Sequence, residues 1–373
     1  MHPALAILPW ISVDRQITVG PLRLLPYVYN SLPGDLQHAR QFDIDGVFAA
    51  YANNPGNAVR RATILEFGDW QTGQDVSEVL PALFRAREAL AFSALAARRL
   101  FCGPFHYCNF DTYTLAVHRF KQGTPGTFSF STRRRDGGTT HLWSADEFSF
   151  RRPAHVDGHA TLSIDEYLLS ALLRVSDSHP HLLEAVREYD CANTDSQDIP
   201  PHVEVVMLKS AFERLLGIDQ NAQHFRDALS HRLKDFPKMD TLSGPLLRSW
   251  KTARPHEERP LRAWAREFCD IRGAAAHGQT TTALRFVWSE NTHLAFASIL
   301  FPLLLKKVLA DENLLSLDTY DIERLLRIDD YILHDPFTSA SPTAADENPW
   351  SKLDDISRVC AQRSLIVNSH HGR

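Results

Sequence analysis

The first 160 residues change hydrophobic pattern every few positions, as expected for a mixed α+β region. Apolar and polar residues alternate in Gln16–Gly20, Arg61–Phe67 and Asp111–Phe120, and Thr127–Ser131 resembles a strand that returns after a turn. Between Val76 and Phe101, apolar residues recur at helical spacing instead. The pattern therefore predicts an α+β amino-terminal domain with a small antiparallel sheet.

From Ser163 onward the pattern becomes helical. Ile164, Leu168, Leu172 and Val175 form one apolar face, and Ser163 with Glu166 is typical of a capping box at a helix start. Six further helices are predicted at His181–Asn193, Val203–Leu216, Phe225–Leu233, Pro260–His277, Asn291–Leu309 and Ile322–Leu333. The second part of the chain is therefore expected to be an all-α bundle.

These patterns divide the 373 residues into three parts. Residues 1–155 form the α+β domain, interpreted as a sensor or specificity module of unknown type. Residues 156–335 form the helical bundle. Residues 336–373 are interpreted as a linker and mobile tail, because Thr338–Pro349 is rich in Ser, Thr, Ala and Pro.

Composition favours an ordinary globular protein of the cytoplasm. Hydrophobic residues make up 44% of the chain, and 40 basic against 45 acidic residues give a net charge of −5, which argues against a general nucleic-acid coating protein. Five irregularly spaced Cys are typical of reduced thiols. The apolar run Leu294–Leu305 is too short to span a bilayer, and Met1–Ser12 lacks signal-peptide features, so no membrane is expected as a partner.

The strongest chemical signal is Arg272 followed by His277, within the segment Phe268–Gly278. A guanidinium is always charged, whereas an imidazole titrates near neutral pH. Together they can hold a phosphodiester and move its protons without a metal. We therefore expect Arg272 to stabilise charge at phosphorus and His277 to act as general acid and base.

Three segments carry a family resemblance, in the family's order along the chain: Leu182–Asn193, Val205–Gly217, and the signature in which Asp270, Ile271, Arg272, His277 and Gly278 match. Over residues 160–335 the chain resembles the HEPN superfamily, and within it the Apea-like branch. The resemblance implies a helical bundle that cleaves RNA as an endoribonuclease. It also implies a role in anti-phage defence or toxin-like growth arrest, and no cofactor.

The resemblance further implies a homodimer with a composite active site. Residues five apart on an ideal helix lie about 140° apart around its axis, so one Arg–His pair does not converge easily on one point. Two copies related by a two-fold axis can supply both pairs to a shared cleft. Gly273 and Ala274 to Ala276 have little side-chain bulk, which would let two such helices approach closely.

Four further residues are candidates for supporting roles. Arg262 and Arg266 precede the signature and are interpreted as RNA contacts, although a solvated helix face is an equal alternative. Asp270 is interpreted as a supporting residue, with a structural cap or ion pair as the alternative. Glu213 is expected either to balance charge at the site or to pair with Lys209 on its own helix.

The position after the arginine leaves a second function open. Active members of the family often carry a polar residue there, and this chain has Gly273. The alternative is therefore a non-catalytic RNA- or nucleotide-binding module that keeps the helical bundle. A purely structural dimerisation domain is a more remote third alternative.

Overall fold

The fold is described from a computed structural model and comprises two compact units. The structure describes residues 3–31, 34–39, 41–97, 109–121, 127–134, 137–144, 149–156, 162, 164–175, 178–194, 196–236, 242–276 and 286–334. The sheet unit comprises residues 1–95 and 104–176, and the helical unit comprises residues 96–103 and 177–373. The division falls after Ser176, later than the sequence boundary at residue 155, so the helix predicted at Ser163 lies in the sheet unit.

The sheet unit is built on a seven-stranded antiparallel sheet with the order β2-β3-β5-β1-β6-β7-β8. Its strands are β1 (Ala4–Leu8), β2 (Ile17–Val19), β3 (Leu22–Val28), β5 (Arg61–Phe67), β6 (Ala116–Phe120), β7 (Thr127–Arg134) and β8 (Gly137–Ser144). β4 (Tyr51–Ala52) and β9 (Phe150–Arg151) form a separate parallel pair. The antiparallel sheet predicted from the alternating segments is confirmed, and it is larger than expected.

The central strand β1 was not predicted from the sequence. All five of its residues are buried, and it pairs with β5 through Ala6 opposite Leu65 and with β6 through Ala4 opposite Arg119. A strand buried on both faces has a continuous apolar run rather than an alternating pattern. The apolar run at the amino terminus is therefore part of the core of this unit.

The other elements predicted for the sheet unit lie where expected, but their first and last residues differ from the prediction. Asp111–Phe120 is divided between a 3-10 turn at Phe110–Tyr113 and strand β6. The three α-helices of the described part are α1 (Ile44–Ala49), α2 (Leu80–Ala97) and α3 (Glu166–Val175). The carboxylate of Asp165 accepts a hydrogen bond from the Leu168 amide and so caps α3, while Ser163 lies outside the described residues.

The helical unit contains eight helices in its described part: α4 (Pro180–Ala192), α5 (Pro201–Leu216), α6 (Ala222–Arg232), α7 (Leu247–Ala253), α8 (Pro260–Ala276), α9 (Glu290–Asp311), α10 (Thr319–Leu326) and α11 (Ile328–Leu333). The mostly helical second part is thus confirmed. Gly217 ends α5 in the left-handed conformation with φ of 63°, as its position predicted. Helix α7 was not predicted, and the segment Thr338–Pro349 lies outside the described residues.

Helix α9 is largely buried within the helical unit. It contains 22 residues, and most of them are buried, including the whole run from Ile299 to Leu309. Among the described helices, α9 is the one long and apolar enough to cross a membrane, and 83% of its most apolar window is buried inside the fold. The expectation that this segment is too short to span a bilayer was wrong, because the helix extends well beyond Leu294–Leu305, whereas its burial agrees with the interpretation as a core helix.

A buried histidine makes the stability of the sheet unit depend on pH. His118 on β6 is fully buried, and its Nε2 atom lies 2.7 Å from the Tyr51 hydroxyl oxygen. Burial disfavours the charged imidazolium and lowers the pKa of His118 from 6.5 to about 4. In the unfolded chain the imidazole regains its ordinary pKa, so it takes up a proton at higher pH than the folded protein does.

The free energy of unfolding should therefore decrease as pH falls from 6.5 to about 4. The full effect of His118 across this window is about 3 kcal/mol. The variant His118→Gln keeps a polar atom for Tyr51 but does not titrate, so its stability should change less over the same window. Urea denaturation of both proteins at several pH values measures this, and parallel pH profiles would contradict the assignment.

Candidate functional site

Helix α8 carries the signature and is anchored firmly in the helical unit. One face is buried and includes Trp264, Phe268, Ile271 and Ala274, which pack towards α5, α6, α9 and α11. The amide of Leu261 at the helix start donates to the carboxylate of Asp329 on α11, at 2.9 Å. The described part of the helix ends at Ala276, so His277 and Gly278, the second half of the signature, lie outside the described residues.

Arg272 has no described partner, unlike Arg254 and Arg259. Its side chain is half-buried, and within the described part of the chain it makes no hydrogen bond and no ion pair. By contrast, Arg259 is bound to the Asp329 carboxylate at 2.8 Å and Arg254 to the Glu267 carboxylate at 3.1 Å. No described residue therefore neutralises the guanidinium of Arg272. A residue that binds an external anion needs such an available charge.

The two arginines predicted to contact RNA have different surroundings. Arg262 donates to Asp227 and to the Ser230 hydroxyl, and its Nε lies 3.6 Å from Glu257. Arg266 is exposed, and in the described part of the chain no carboxylate pairs with it. The structure thus gives Arg262 an intramolecular role that the sequence did not indicate, whereas Arg266 remains available to a ligand.

Asp270 lies on the opposite side of α8 from Arg272. Residues two apart on an ideal helix are about 200° apart around the axis. Asp270 is half-buried, and no described group donates a hydrogen bond to its carboxylate. Burial raises the pKa of Asp270, while the charges of Arg266 and Arg254 oppose that shift. Asp270 and Arg272 therefore do not share one site on a single copy of the helix.

A cleft of about 970 Å³ opens between α7 and α8, and we call it the α7–α8 cleft. Its described lining residues are Arg248, Ser249, Thr252, Ala253 and Arg254 from α7 and its end, Arg266 and Asp270 from α8, and Phe286 and Val287. The lining brings together three guanidinium groups, one carboxylate and an aromatic ring. Arg272 is not among these described lining residues.

Glu213 forms the ion pair with Lys209 that the sequence left open. The Lys209 Nζ atom lies 2.6 Å from the Glu213 carboxylate, and Lys209 is only 1% exposed. Both charges influence Cys269 on α8, whose pKa burial raises to about 11, so its thiol is inert at neutral pH. The ion pair therefore gives Glu213 a structural role where α5 packs against α8. A role of Glu213 in a reaction stays a prediction.

The residue that sequence reasoning missed is Glu267. Its carboxylate is completely buried and accepts hydrogen bonds from the amides of Val287 and Trp288 as well as from Arg254. The Nε2 atom of buried His293 lies 3.7 Å from it, and burial lowers the pKa of this imidazole. One signal was available: Glu267 falls on the buried stripe of α8, where a carboxylate must have partners.

Comparison with protein-family models, curated proteins and solved structures gave no match for this chain. The family resemblance therefore rests on the residues of the three segments quoted above.

The network around Glu267 leads to a prediction about stability. Glu267→Gln removes the buried charge and leaves Arg254, which is 19% exposed, without its carboxylate. The free energy of unfolding should fall by about 3 kcal/mol, since removing one partner of a buried ion pair leaves the other uncompensated. Chemical denaturation measures this, with the exposed Glu258→Gln as matched control. Hydrogen exchange should also accelerate at the Val287 and Trp288 amides, and unchanged exchange there would contradict the network.

The raised pKa of Asp270 leads to a second prediction with a definite sign. Because the folded state favours the protonated form, the ionised carboxylate destabilises the protein above its folded pKa. Asp270→Asn should therefore raise the melting temperature at pH 7, and the gain should vanish below pH 3.8, where both states are protonated.

Asp227→Asn serves as a control of opposite sign. Hydrogen bonds from Gln223 and the charge of Arg262 lower the pKa of Asp227, so its ionised form is favoured in the folded state. This variant should not be more stable than the wild type at pH 7. Equal changes of melting temperature in Asp270→Asn and Asp227→Asn would show that burial does not destabilise the ionised Asp270 carboxylate.

Proposed function

We propose that this protein is a metal-independent endoribonuclease of HEPN type, with Arg272 and His277 as its catalytic pair. The observation that carries the proposal is the state of Arg272. It is a half-buried guanidinium on the signature helix, and no described carboxylate pairs with it, although most arginines near it are paired. An arginine without a counter-ion among the described residues, in a chain of net charge −5, favours an external anion as its partner.

The reaction uses the 2′-hydroxyl of the substrate as its nucleophile. The imidazole of His277 from one copy removes the hydroxyl proton while the 2′-oxygen attacks phosphorus. The bond from phosphorus to the 5′-oxygen breaks, and a second histidine donates the proton that this oxygen needs. Arg272 stabilises the negative charge that builds up at the phosphoryl oxygens. The products are a 2′,3′-cyclic phosphate and a 5′-hydroxyl end.

The proposed site needs two copies of the chain, each giving one Arg272 and one His277. One imidazole acts as base and the other as acid, which a single helix cannot supply. Gly273 supports close approach, because a methyl group added at this position meets no atom within 4 Å in the described structure. We therefore propose a homodimer that acts in the cytoplasm, in anti-phage defence or growth arrest.

The alternative function is RNA or nucleotide binding without cleavage. One observation favours it: the α7–α8 cleft gathers Arg248, Arg254 and Arg266, and Arg272 is not among its described lining residues. A protein whose main anion site lies away from the signature arginine could bind without cutting. Binding of labelled RNA by a protein that leaves it intact would support this alternative.

Cleavage assays on purified protein test the proposed function. Arg272→Ala and His277→Ala should each lower the rate by on the order of 100-fold or more, since each removes a group that acts in the transition state. Two control variants, Lys251→Ala and His256→Ala, remove an exposed cation and an exposed imidazole. Both should cleave RNA like the wild type. Labelled tRNA and total RNA serve as substrates, and gel electrophoresis measures the products.

Three further readouts are specific for this chemistry. Activity should persist in EDTA, the products should carry 2′,3′-cyclic phosphate ends, and a 2′-deoxy substitution at the cut site should block the reaction. Sedimentation equilibrium should show a dimer. Full activity in either Arg272→Ala or His277→Ala would refute the proposal.

A further inference from the structure

The α7–α8 cleft carries a positive charge in an acidic protein. Three guanidinium groups and the Asp270 carboxylate line its described walls, and the buried Glu267 carboxylate neutralises Arg254. This leaves one positive charge in excess, whereas the whole chain has a net charge of −5. Among the three arginines of the described lining, Glu267 pairs with Arg254 and with neither Arg248 nor Arg266, so those two keep their charges for a ligand. A positive excess concentrated in one concave surface favours an anionic ligand.

The arginines of the cleft divide into one that is held in place and two that are available. The Nε of Arg254 donates to the buried carboxylate of Glu267 at 3.2 Å, and its Nη2 lies 3.1 Å from the same oxygen. Arg248 and Arg266 are exposed, and no described carboxylate pairs with either. Guanidinium groups bind phosphate oxygens through pairs of parallel hydrogen bonds, so Arg248 and Arg266 can grip a phosphate from α7 and from α8.

Asp270 adds an acceptor that a pure phosphate site would not need. Its carboxylate lines the cleft, is half-buried, and receives no hydrogen bond from any described donor. An unsatisfied carboxylate next to an anion site would repel the anion unless the same ligand also brought donors to it. A ribose supplies such donors, because carboxylates commonly accept hydrogen bonds from its hydroxyl groups.

The remaining wall of the cleft is apolar. The half-buried Phe286 and Val287 line it, and Val287 is fixed by its amide hydrogen bonds to Glu267, at 2.9 and 3.1 Å. An aromatic ring at the edge of a cationic groove is a common surface for a stacked base. The volume of about 970 Å³ is at the upper end of ordinary ligand clefts, so it admits a nucleotide.

We propose that the α7–α8 cleft binds a ribonucleoside 5′-monophosphate, either as a free nucleotide or as the phosphorylated 5′ end of an RNA. The phosphate lies between Arg248 and Arg266, Asp270 accepts from the ribose hydroxyls, and the base lies against Phe286. A terminal monoester offers three acceptor oxygens to the two guanidinium groups, whereas an internal diester offers two free ones. The assignment does not depend on cleavage at Arg272.

Isothermal titration of the full chain with AMP, adenosine and 2′-deoxy-AMP tests the assignment. AMP should bind at least about tenfold more tightly than adenosine, since adenosine lacks the charge-assisted hydrogen bonds to arginine. Arg248→Gln and Arg266→Gln should each weaken AMP binding by about tenfold, and Lys251→Gln, an exposed charge on α7 outside the cleft lining, should not.

Asp270→Asn tests the ribose contact separately. The wild type should prefer AMP over 2′-deoxy-AMP, and the variant should lose that preference while still binding both through the arginines. The assignment fails if AMP and adenosine bind alike, if the wild type does not distinguish the two sugars, or if Lys251→Gln weakens binding as much as Arg266→Gln.

Short RNA oligonucleotides distinguish the two sources of the ligand. A 5′-phosphorylated oligonucleotide that competes with AMP, while its 5′-hydroxyl counterpart does not, identifies an RNA end as the ligand. Failure of both to compete, with AMP bound as above, identifies the free nucleotide. Arg272→Gln should keep AMP binding and lose RNA cleavage, so failure of the proposed nuclease and failure of this site give different results. Loss of AMP binding in Arg272→Gln would overturn the placement of the nucleotide in this cleft.

Discussion

The packing of α7 and of the start of α9 against α8 depends on one buried carboxylate, that of Glu267. A buried carboxylate without partners would be strongly destabilising, so donors must surround it. They come from separate stretches of chain: Arg254 at the end of α7, and the amides of Val287 and Trp288 ahead of α9. Satisfying this one charge therefore fixes α7 and the start of α9 against α8, independently of apolar packing.

The same constraint builds the α7–α8 cleft. Arg254 and Val287 belong both to the partners of Glu267 and to the described walls of the cleft, so the carboxylate sets the distance between those walls. A buried network that is fully satisfied gives a rigid surface, which lowers the entropy cost of ligand binding. The half-buried Asp270 opposes stability at the same place. A destabilising carboxylate in a rigid cleft is more easily explained by a ligand than by the fold.

Sequence patterns predicted the elements better than the contacts. Alternation located β2 and β5, and helical spacing with Gly217 located α5, because local chemistry decides these elements. Strand β1 has no alternation to detect, and the predicted helix Ile322–Leu333 is in fact α10 and α11, separated at Arg327. The binding of Arg262 to Asp227, 35 residues away, depends on tertiary packing that no local pattern contains. Glu267 was the exception, since its position on a buried stripe could have been noticed.

The proposed cleavage site and the proposed nucleotide site lie on different sides of α8 and do not compete for space. Asp270 faces the α7–α8 cleft, and Arg272 lies about 200° away around the same helix. A second copy of the chain that approached the side of Arg272 would therefore not need to fill the cleft. Both residues belong to α8, which Glu267 holds in place. A ligand that binds on one side of the helix therefore also stabilises the other side. A nucleotide in the cleft would thus stabilise the helix that presents Arg272, even without touching it.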